Sequence, residues 1–448
     1  MAICSRRETA TVSQASLMEA TTRPRAATSP RLRAPRRVAL LGGTTTRDDC
    51  AVGLRYLANP GDLVQGPAIS DYERCFAEVI GVRHAYSFSA GRVGLFGILK
   101  GLGVGVGDEV LLQAPTHIVV ANAIRYTGAI PVYVDCRLDT YTIDLEQAER
   151  RITPKTKALL VQHTFGIPVE MDAAQDLSKR YGLALIEDCV HSLGARYAGR
   201  PLGCYGKAAF FSTEETKTIS STMGGMVVTD DPELAHHLES FQASCAFTPA
   251  ALTWRYVLKL VLYHLLSKPH LHPYSRALYE RLGRRHPLPR PTSSAEAQGL
   301  KPPRYEQRLS NAQAALALRQ LHRLKSNLQH RAATVSGYST ALGGRAYGPR
   351  PPKLATPGFV RYPVWVKDRT AAMQAAARHT VLGTWFTSVL EECASPAAAG
   401  YVPGSCPRAE LAATHLVNLP THLRVRKEDV EAITLALQHL VSTPEVER

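Results

Sequence analysis

The chain has 448 residues, is 45% hydrophobic and 20% charged, and carries a formal charge of +15. That suffices for one large domain and a smaller one, each with its own core. No apolar run approaches the ~18 residues that read as a membrane-spanning helix, and no recognition-helix, zinc-finger or RNA-module signature accompanies the positive charge, which argues against nucleic acid as a partner.

Residues 1–40 read as a disordered basic tail, with eight arginines against Glu8 and Glu19 and no apolar pattern. Being Arg-rich and acid-poor, the segment also fits an organelle transit peptide, and it lacks the apolar stretch of a secretory signal. A large domain is expected over 60–245. There, short β-like runs (85–89, 110–115, 130–135, 157–164, 183–188, 208–213 and 225–230) alternate with helical stretches such as GRVGLFGILKGL and DLEQAERRI. This alternation predicts a mostly parallel, seven-stranded sheet covered by helices, an α/β fold. Residues 246–302 form a basic, Pro-rich insertion with nine Lys/Arg against Glu280 and Glu296. Outside the tail and this insertion the chain is near neutral, so its basicity belongs to two appendages.

Within the insertion, TWRYVLKLVLYHLLSK (253–268) is an apolar helix whose Arg255 and Lys259 share one face. At roughly 13 apolar residues it is too short to span a bilayer. Two readings remain open: it lies in a membrane interface as a peripheral contact, or it packs on the body or on a partner subunit. Residues 303–448 begin with a long amphipathic helix over 308–324 and continue into a small α/β domain containing the strand FVRYPVWV (359–366). Nine cysteines show no CxxC pair and no zinc-like cluster. They read as reduced thiols of a cytoplasmic protein, with no metal site.

In sheets of this kind ligands bind beyond the carboxyl ends of the strands. Lys217, Asp188, His163 and the turn Ala90-Gly91-Arg92 all fall at such ends. Lys217 follows the apolar run FFS where a buried strand should be ending, and the pair Gly224-Gly225 comes shortly after.

The stretches GVGVGDEVLLQAPTH, GAIPVYVD, ITPKTKALLVQHTFG, IEDCVHSLGA, FFSTEETK, GGMVVT, RLSNAQAAL and LVNLPTH occur in that order. Together they resemble the DegT/DnrJ/EryC1/StrS family of pyridoxal-phosphate (PLP) sugar aminotransferases, which have the aspartate aminotransferase fold (fold type I). The resemblance covers well over half the chain. It implies that Lys217 carries the cofactor covalently and shuttles a proton, and that Asp188 keeps the pyridine nitrogen protonated. It further implies that His117 stacks on the ring, that His191 sits beside the phenolic oxygen, and that Ala90, Gly91, Arg92 and Ser212 hold the phosphate at a helix start. His163 is expected to line the site.

By the same resemblance the reaction is transfer of an amino group, commonly from glutamate, to a ketone of a nucleotide-linked sugar, for an amino sugar of a polysaccharide or natural product. The enzyme would be a homodimer with composite active sites. Three positions depart from the family pattern: Arg92, Met223 and Glu306. Glu306 stands where the family reaches the phosphate of the other subunit, so pairing of Arg92 with Glu306 across the dimer is expected. Two alternatives remain at this stage. One is a PLP-dependent sugar dehydratase, whose subgroup has histidine in place of the lysine. The other is a non-catalytic scaffold of the same fold.

Overall fold

A computed structural model describes residues 36–40, 43–283, 292–343 and 348–444. The expected tail over 1–35 lies outside the described residues, as do 284–291 of the insertion. Residues 36–40, grouped with the tail in the sequence reading, are packed. Val38 is fully buried, and Arg36 holds Asp429 at 2.7 Å.

Seven strands make the body of the main sheet: β1 His84–Phe88, β2 Glu109–Gln113, β3 Ile130–Val134, β4 Thr156–Gln162, β5 Ala184–Asp188, β6 Ala208–Ser212 and β7 Gly225–Thr229. Their order is β1-β7-β6-β5-β4-β2-β3. Neighbours from β6 to β3 are parallel, and β7 runs antiparallel to both β6 and β1. The continuous apolar runs arise because both faces are covered. Val110, Leu112, Leu160, Ile186, Phe210 and Val227 join one core, while Leu111, Leu159, Val161, Leu185, Phe211 and Met226 join the other. This is the two-residue alternation of a pleated strand. Two further strands, Gln307–Arg308 and Ala246–Phe247, extend the edge beyond β1 to make nine. At two residues each they are too short to leave a periodic signal.

Helix α1 (Arg47–Ala58) starts at a Thr46 capping box, and α2 (Ala68–Ile80) ends at Gly81 in the left-handed conformation. Helix α3 (Gly91–Gly101) follows β1 and α4 (Ile118–Arg125) follows β2, both packed on the first core. In the insertion, α5 (Ala250–Leu266) buries Val257, Leu260 and Val261. A Cβ on Gly53 of α1 would lie 3.2 Å from Val257 Cγ1, so glycine lets the two helices approach closely. For this side of α5, packing on the body is the arrangement found. Trp254, Leu262, Leu265 and Leu266 remain exposed. Among the described residues no helix is long and apolar enough to cross a membrane.

The helix expected over 308–324 is found as α6 (Asn311–Leu321), and a second, α7 (Leu324–Ala341), follows it after a break at 322–323. At the joint Arg323 reaches back to Asp49 of α1 at 2.7 Å. The C-terminal part is built on the antiparallel pair β8 (Arg361–Trp365) and β9 (Leu416–Pro420). Val364, Val417 and Leu419 of this pair pack with Val335 and Tyr338 of α7 and with Ile433 and Leu437 of α8 (Lys427–Leu437).

One polar hub lies wholly inside the large sheet. Glu187 of β5 is fully buried and accepts N–H groups from Gly203, Tyr205 and Gly206 at 2.8–2.9 Å. His163 lies 3.2 Å from the same carboxylate. Burial opposes the charge on Glu187, but His163 and the N–H donors prevail and hold its pKa below the usual carboxylate value. Glu187→Leu is expected to cost about 3–5 kcal/mol, the usual loss when one partner of a buried pair is removed, read as a lower urea midpoint at unchanged slope. A loss under about 1 kcal/mol, the scale of an exposed pair, would show that the hub contributes little.

Candidate active site

The turn after β1 leads directly into α3. Ala90 caps that helix with extended backbone and no side-chain acceptor, so the first N–H groups of α3 are free of side-chain capping and favour an anion. A Cβ on Gly225 would lie 2.3 Å from the Ala90 carbonyl carbon and from the Gly91 nitrogen. Glycine is therefore required where β7 passes under this turn, and this accounts for the second residue of the Gly-Gly pair.

A cleft of about 280 Å³ opens here, lined among others by Ala90, Gly91, Arg92, His117, Ser212 and Lys217. Lys217 lies in the loop between β6 and β7 and is only 8% exposed. Its Nζ sits 4.8 Å from the centroid of the Trp385 ring, a cation–π distance. Burial lowers its pKa to about 8. Glu214 and Asp188 oppose that shift, and Arg361 adds to it.

Asp188 ends β5, one residue after Glu187, so the pleat points the two carboxylates to opposite faces. Its Oδ1 accepts the Val190 N–H at 3.0 Å, while its Oδ2 is buried without a partner among the described residues. Burial raises its pKa to about 7 against the pull of the Val190 N–H and Lys217. His117 caps α4, its Nδ1 accepting the Val119 N–H at 3.3 Å, and presents Nε2 at 3.5 Å from Glu392. The capping role and the place in the cleft wall thus coincide. His191 is buried, its Nδ1 accepting the Phe165 N–H at 3.3 Å, and its ring centroid lies 4.4 Å from that of Trp385. Burial, Lys217, Arg361 and His117 all push its pKa down, so it is neutral. Ser212 accepts the Glu214 N–H at 3.3 Å.

One expectation is corrected. His163 does not line the cleft. It is fully buried on the Glu187 side of the sheet, with Nδ1 accepting the Val169 N–H at 3.1 Å. Within the chain, the carboxylate on Arg92 is that of Glu296, at 2.7 Å; the pairing with Glu306 is expected across the dimer, between two copies of the chain. Glu306 lies 2.5 Å from Lys301. Glu296 is nine-tenths buried or more, and its other oxygen accepts the Ser293 N–H and hydroxyl, both at 2.9 Å. The pattern Ser293-x-x-Glu296 is a capping-box signal that could have located it. Trp385, Arg361 and Glu214 also line the cleft and were not singled out from sequence. Trp385 and Arg361 come from the C-terminal part, far from the site along the chain.

The DegT/DnrJ/EryC1/StrS aminotransferase family profile matches residues 47–260 and 275–438. The chain belongs to this family. It is similar to a GDP-perosamine synthase of Caulobacter vibrioides, 28% identical over 84% of this chain and 91% of the relative. Among solved structures it resembles DesV of S. venezuelae in complex with a ketimine intermediate, 28% identical with TM-score 0.66 over 88% of this chain and 94% of that one. It also resembles the aminotransferase TlmJ of Streptoalloteichus hindustanus, 25% identical with TM-score 0.70 over 90% and 98% of the two chains. The mixed, mostly parallel sheet with its C-terminal α/β part is the fold of these aminotransferases.

In this aminotransferase the unpaired Asp188 has a thermodynamic signature. Its folded pKa, about 7, lies above the ordinary value of 3.8. Between these values the folded state binds the extra proton, so the contribution to stability is present at low pH and is lost as pH rises to about 7. The stability of the ligand-free protein, measured by urea unfolding, should fall by about 4 kcal/mol across that window relative to Asp188→Asn, using 1.36 kcal/mol per pKa unit. Parallel curves for the two proteins would contradict the assignment.

Proposed function

We propose that the protein is a PLP-dependent aminotransferase that moves an amino group, with glutamate as donor, to the keto group of a nucleotide-linked sugar. The carrying observation is the pair of buried, oppositely shifted groups that act on each other through space, Lys217 near 8 in the wall of the cleft and Asp188 near 7 behind it. The relation to a GDP-perosamine synthase along nearly the whole chain supports a nucleotide-sugar acceptor.

The residues fit the cofactor. The orphaned, buried Oδ2 of Asp188 is an acceptor awaiting an N–H, which a protonated pyridine ring would provide. The uncapped start of α3 and the Ser212 hydroxyl suit a phosphate. When bound, PLP supplies the electron sink that lets the bond to the substrate's reacting carbon be broken.

The protein's own groups do the rest. Lys217, with a pKa near 8, exchanges protons with the reacting carbon near neutral pH, where a solvated lysine would stay charged. Asp188 holds the ring in its electron-withdrawing form. His117 presents an imidazole to the cleft that can rest against the ring face. Trp385 forms part of the cleft wall, with His191 buried behind it, and this apolar backing strengthens charge interactions in the cleft. A homodimer completes the proposal.

Lys217 disfavours the dehydratase alternative, in which histidine takes that position. Protein loaded with PLP should show a visible absorbance band that glutamate bleaches and a nucleotide-linked ketosugar restores. Lys217→Ala should lack the band and lose about 10²–10⁴-fold or more in turnover, the range for removal of a proton-transfer group. Wild-type protein that binds no PLP and stays colourless would instead support a non-catalytic scaffold.

A further inference from the structure

The buried side chains of α5, Thr253, Val257, Leu260, Val261 and His264, recur at the three- and four-residue spacing of one helix face. A helix with one covered stripe ordinarily turns a polar face to water. The opposite face of α5 is instead rich in apolar side chains. Trp254, Leu262, Leu265 and Leu266 are all exposed there, with Arg255 and Lys259 among them.

The helix that follows, His272–Gly283, repeats the pattern. Its Ser275 hydroxyl donates to the Leu266 carbonyl at 2.8 Å, which ties its first turn to the end of α5. The Leu271 carbonyl accepts the Ser275 N–H at 3.0 Å, so Leu271 shares the helical register. Leu271, Tyr274 and Leu278 then stand at i, i+3 and i+7, on one face, and all three are exposed. Sixteen large apolar residues are exposed among the described residues, and seven of them fall within 254–278. A single exposed leucine is ordinary, but such a concentration marks an interaction surface.

The charge selects the occupant. Residues 250–283 carry Arg255, Lys259, Lys268, Arg276 and Arg281 against Glu280 alone, a net of +4, and Arg255 and Arg281 are exposed. We propose that this two-helix face docks on an anionic membrane surface, lying in the headgroup plane with its apolar side chains in the acyl boundary. A second copy of the chain fits less well, because a two-fold interface would set the same cations against one another. A nucleic acid would meet the charge but leave the apolar side chains in water. The face is joined firmly to the body that carries the cleft. Lys259 holds Glu215 at 2.6 Å, and the Thr222 hydroxyl donates to the Tyr256 carbonyl at 3.0 Å. The proposal goes beyond the aminotransferase reading and does not depend on it.

The test is flotation of the full chain with vesicles of phosphatidylcholine alone, or of phosphatidylcholine and phosphatidylglycerol in equal parts. Binding is expected on the anionic vesicles, should weaken as salt is raised, and should be about tenfold or more weaker on the neutral ones. Arg255→Gln/Arg281→Gln should lose about thirtyfold on anionic vesicles, roughly fivefold for each cation. Leu262→Gln/Leu266→Gln should lose about tenfold or more, since that apolar area no longer leaves water.

Trp254 provides a second arm, which reports this face alone. Its emission should move to shorter wavelength on anionic vesicles and be quenched by bromine-labelled lipid. Trp254→Phe should bind the vesicles as wild type does while losing that change. Absence of binding to anionic vesicles overturns the proposal. So does wild-type binding by both double variants, which would assign the attraction to the Arg-rich residues 1–35. A shift of Leu262→Gln/Leu266→Gln to a smaller oligomer would seat a second copy on the face and likewise overturn it.

Discussion

The site depends on one consequence of the pleat: two neighbouring carboxylates on β5 are sent to opposite faces of the sheet and meet opposite electrostatic fates. Glu187 enters a hub of three backbone N–H groups and His163, which keep it ionised despite complete burial. Among the described residues, Asp188 receives a single N–H on one oxygen and nothing on the other. Depth is the same for both, so the difference lies in the number of donors. A buried carboxylate with few donors is unstable as an anion until a positive group arrives. The fold thus holds a strong acceptor in reserve beside the cleft, and the neighbouring hub anchors the strand that carries it.

The same logic extends to the cations. Lys217, Arg361 and neutral His191 crowd around Trp385; burial first, and then the charge of Arg361, lowers the affinity of Lys217 for a proton, and burial and both cations do the same to His191. Glu214 restrains this tendency without forming an ion pair with either cation. A lysine surrounded in this way is less basic than one in water, as proton transfer near neutral pH requires. The insertion contributes on the other side. Lys259 of α5 holds Glu215 at 2.6 Å, and Glu296 holds Arg92. A segment that reads as an appendage in sequence therefore supplies two ion pairs at the edge of the cleft.

Much of this was legible before the fold was known. The seven strands stand within a residue or two of their expected limits, because doubly covered strands write themselves as unbroken apolar runs. Lys217, Asp188, His117, Ser212 and the Ala90 turn were visible because each sits where such a run stops. His163 was misplaced for an equally physical reason. It also follows a strand end, but the side of the sheet that a residue faces after the last pleated position depends on the turn, and here the turn delivers it to Glu187. Glu296, the carboxylate that Arg92 meets within the chain, escapes a sequence reading because it lies in a segment with no strand or long helix to fix its position.

Arg361 and Trp385 mark the limit of local reading. FVRYPVWV announces a strand, but an arginine opening a strand is ordinarily a solvated edge residue, and nothing within that octapeptide says it will be buried against a lysine more than a hundred positions earlier. The information lies in the docking of the β8–β9 pair against the large sheet, where Phe165 of the large sheet's β4–β5 connection packs with Trp365 and Phe386. This apolar contact brings the C-terminal cation to the site, since burying those rings carries the neighbouring strand with them. Arg361 thus reaches the cleft through hydrophobic packing and, among the described residues, forms no ion pair there. A fold that tolerates such an arrangement keeps guanidinium donors available at the cleft wall.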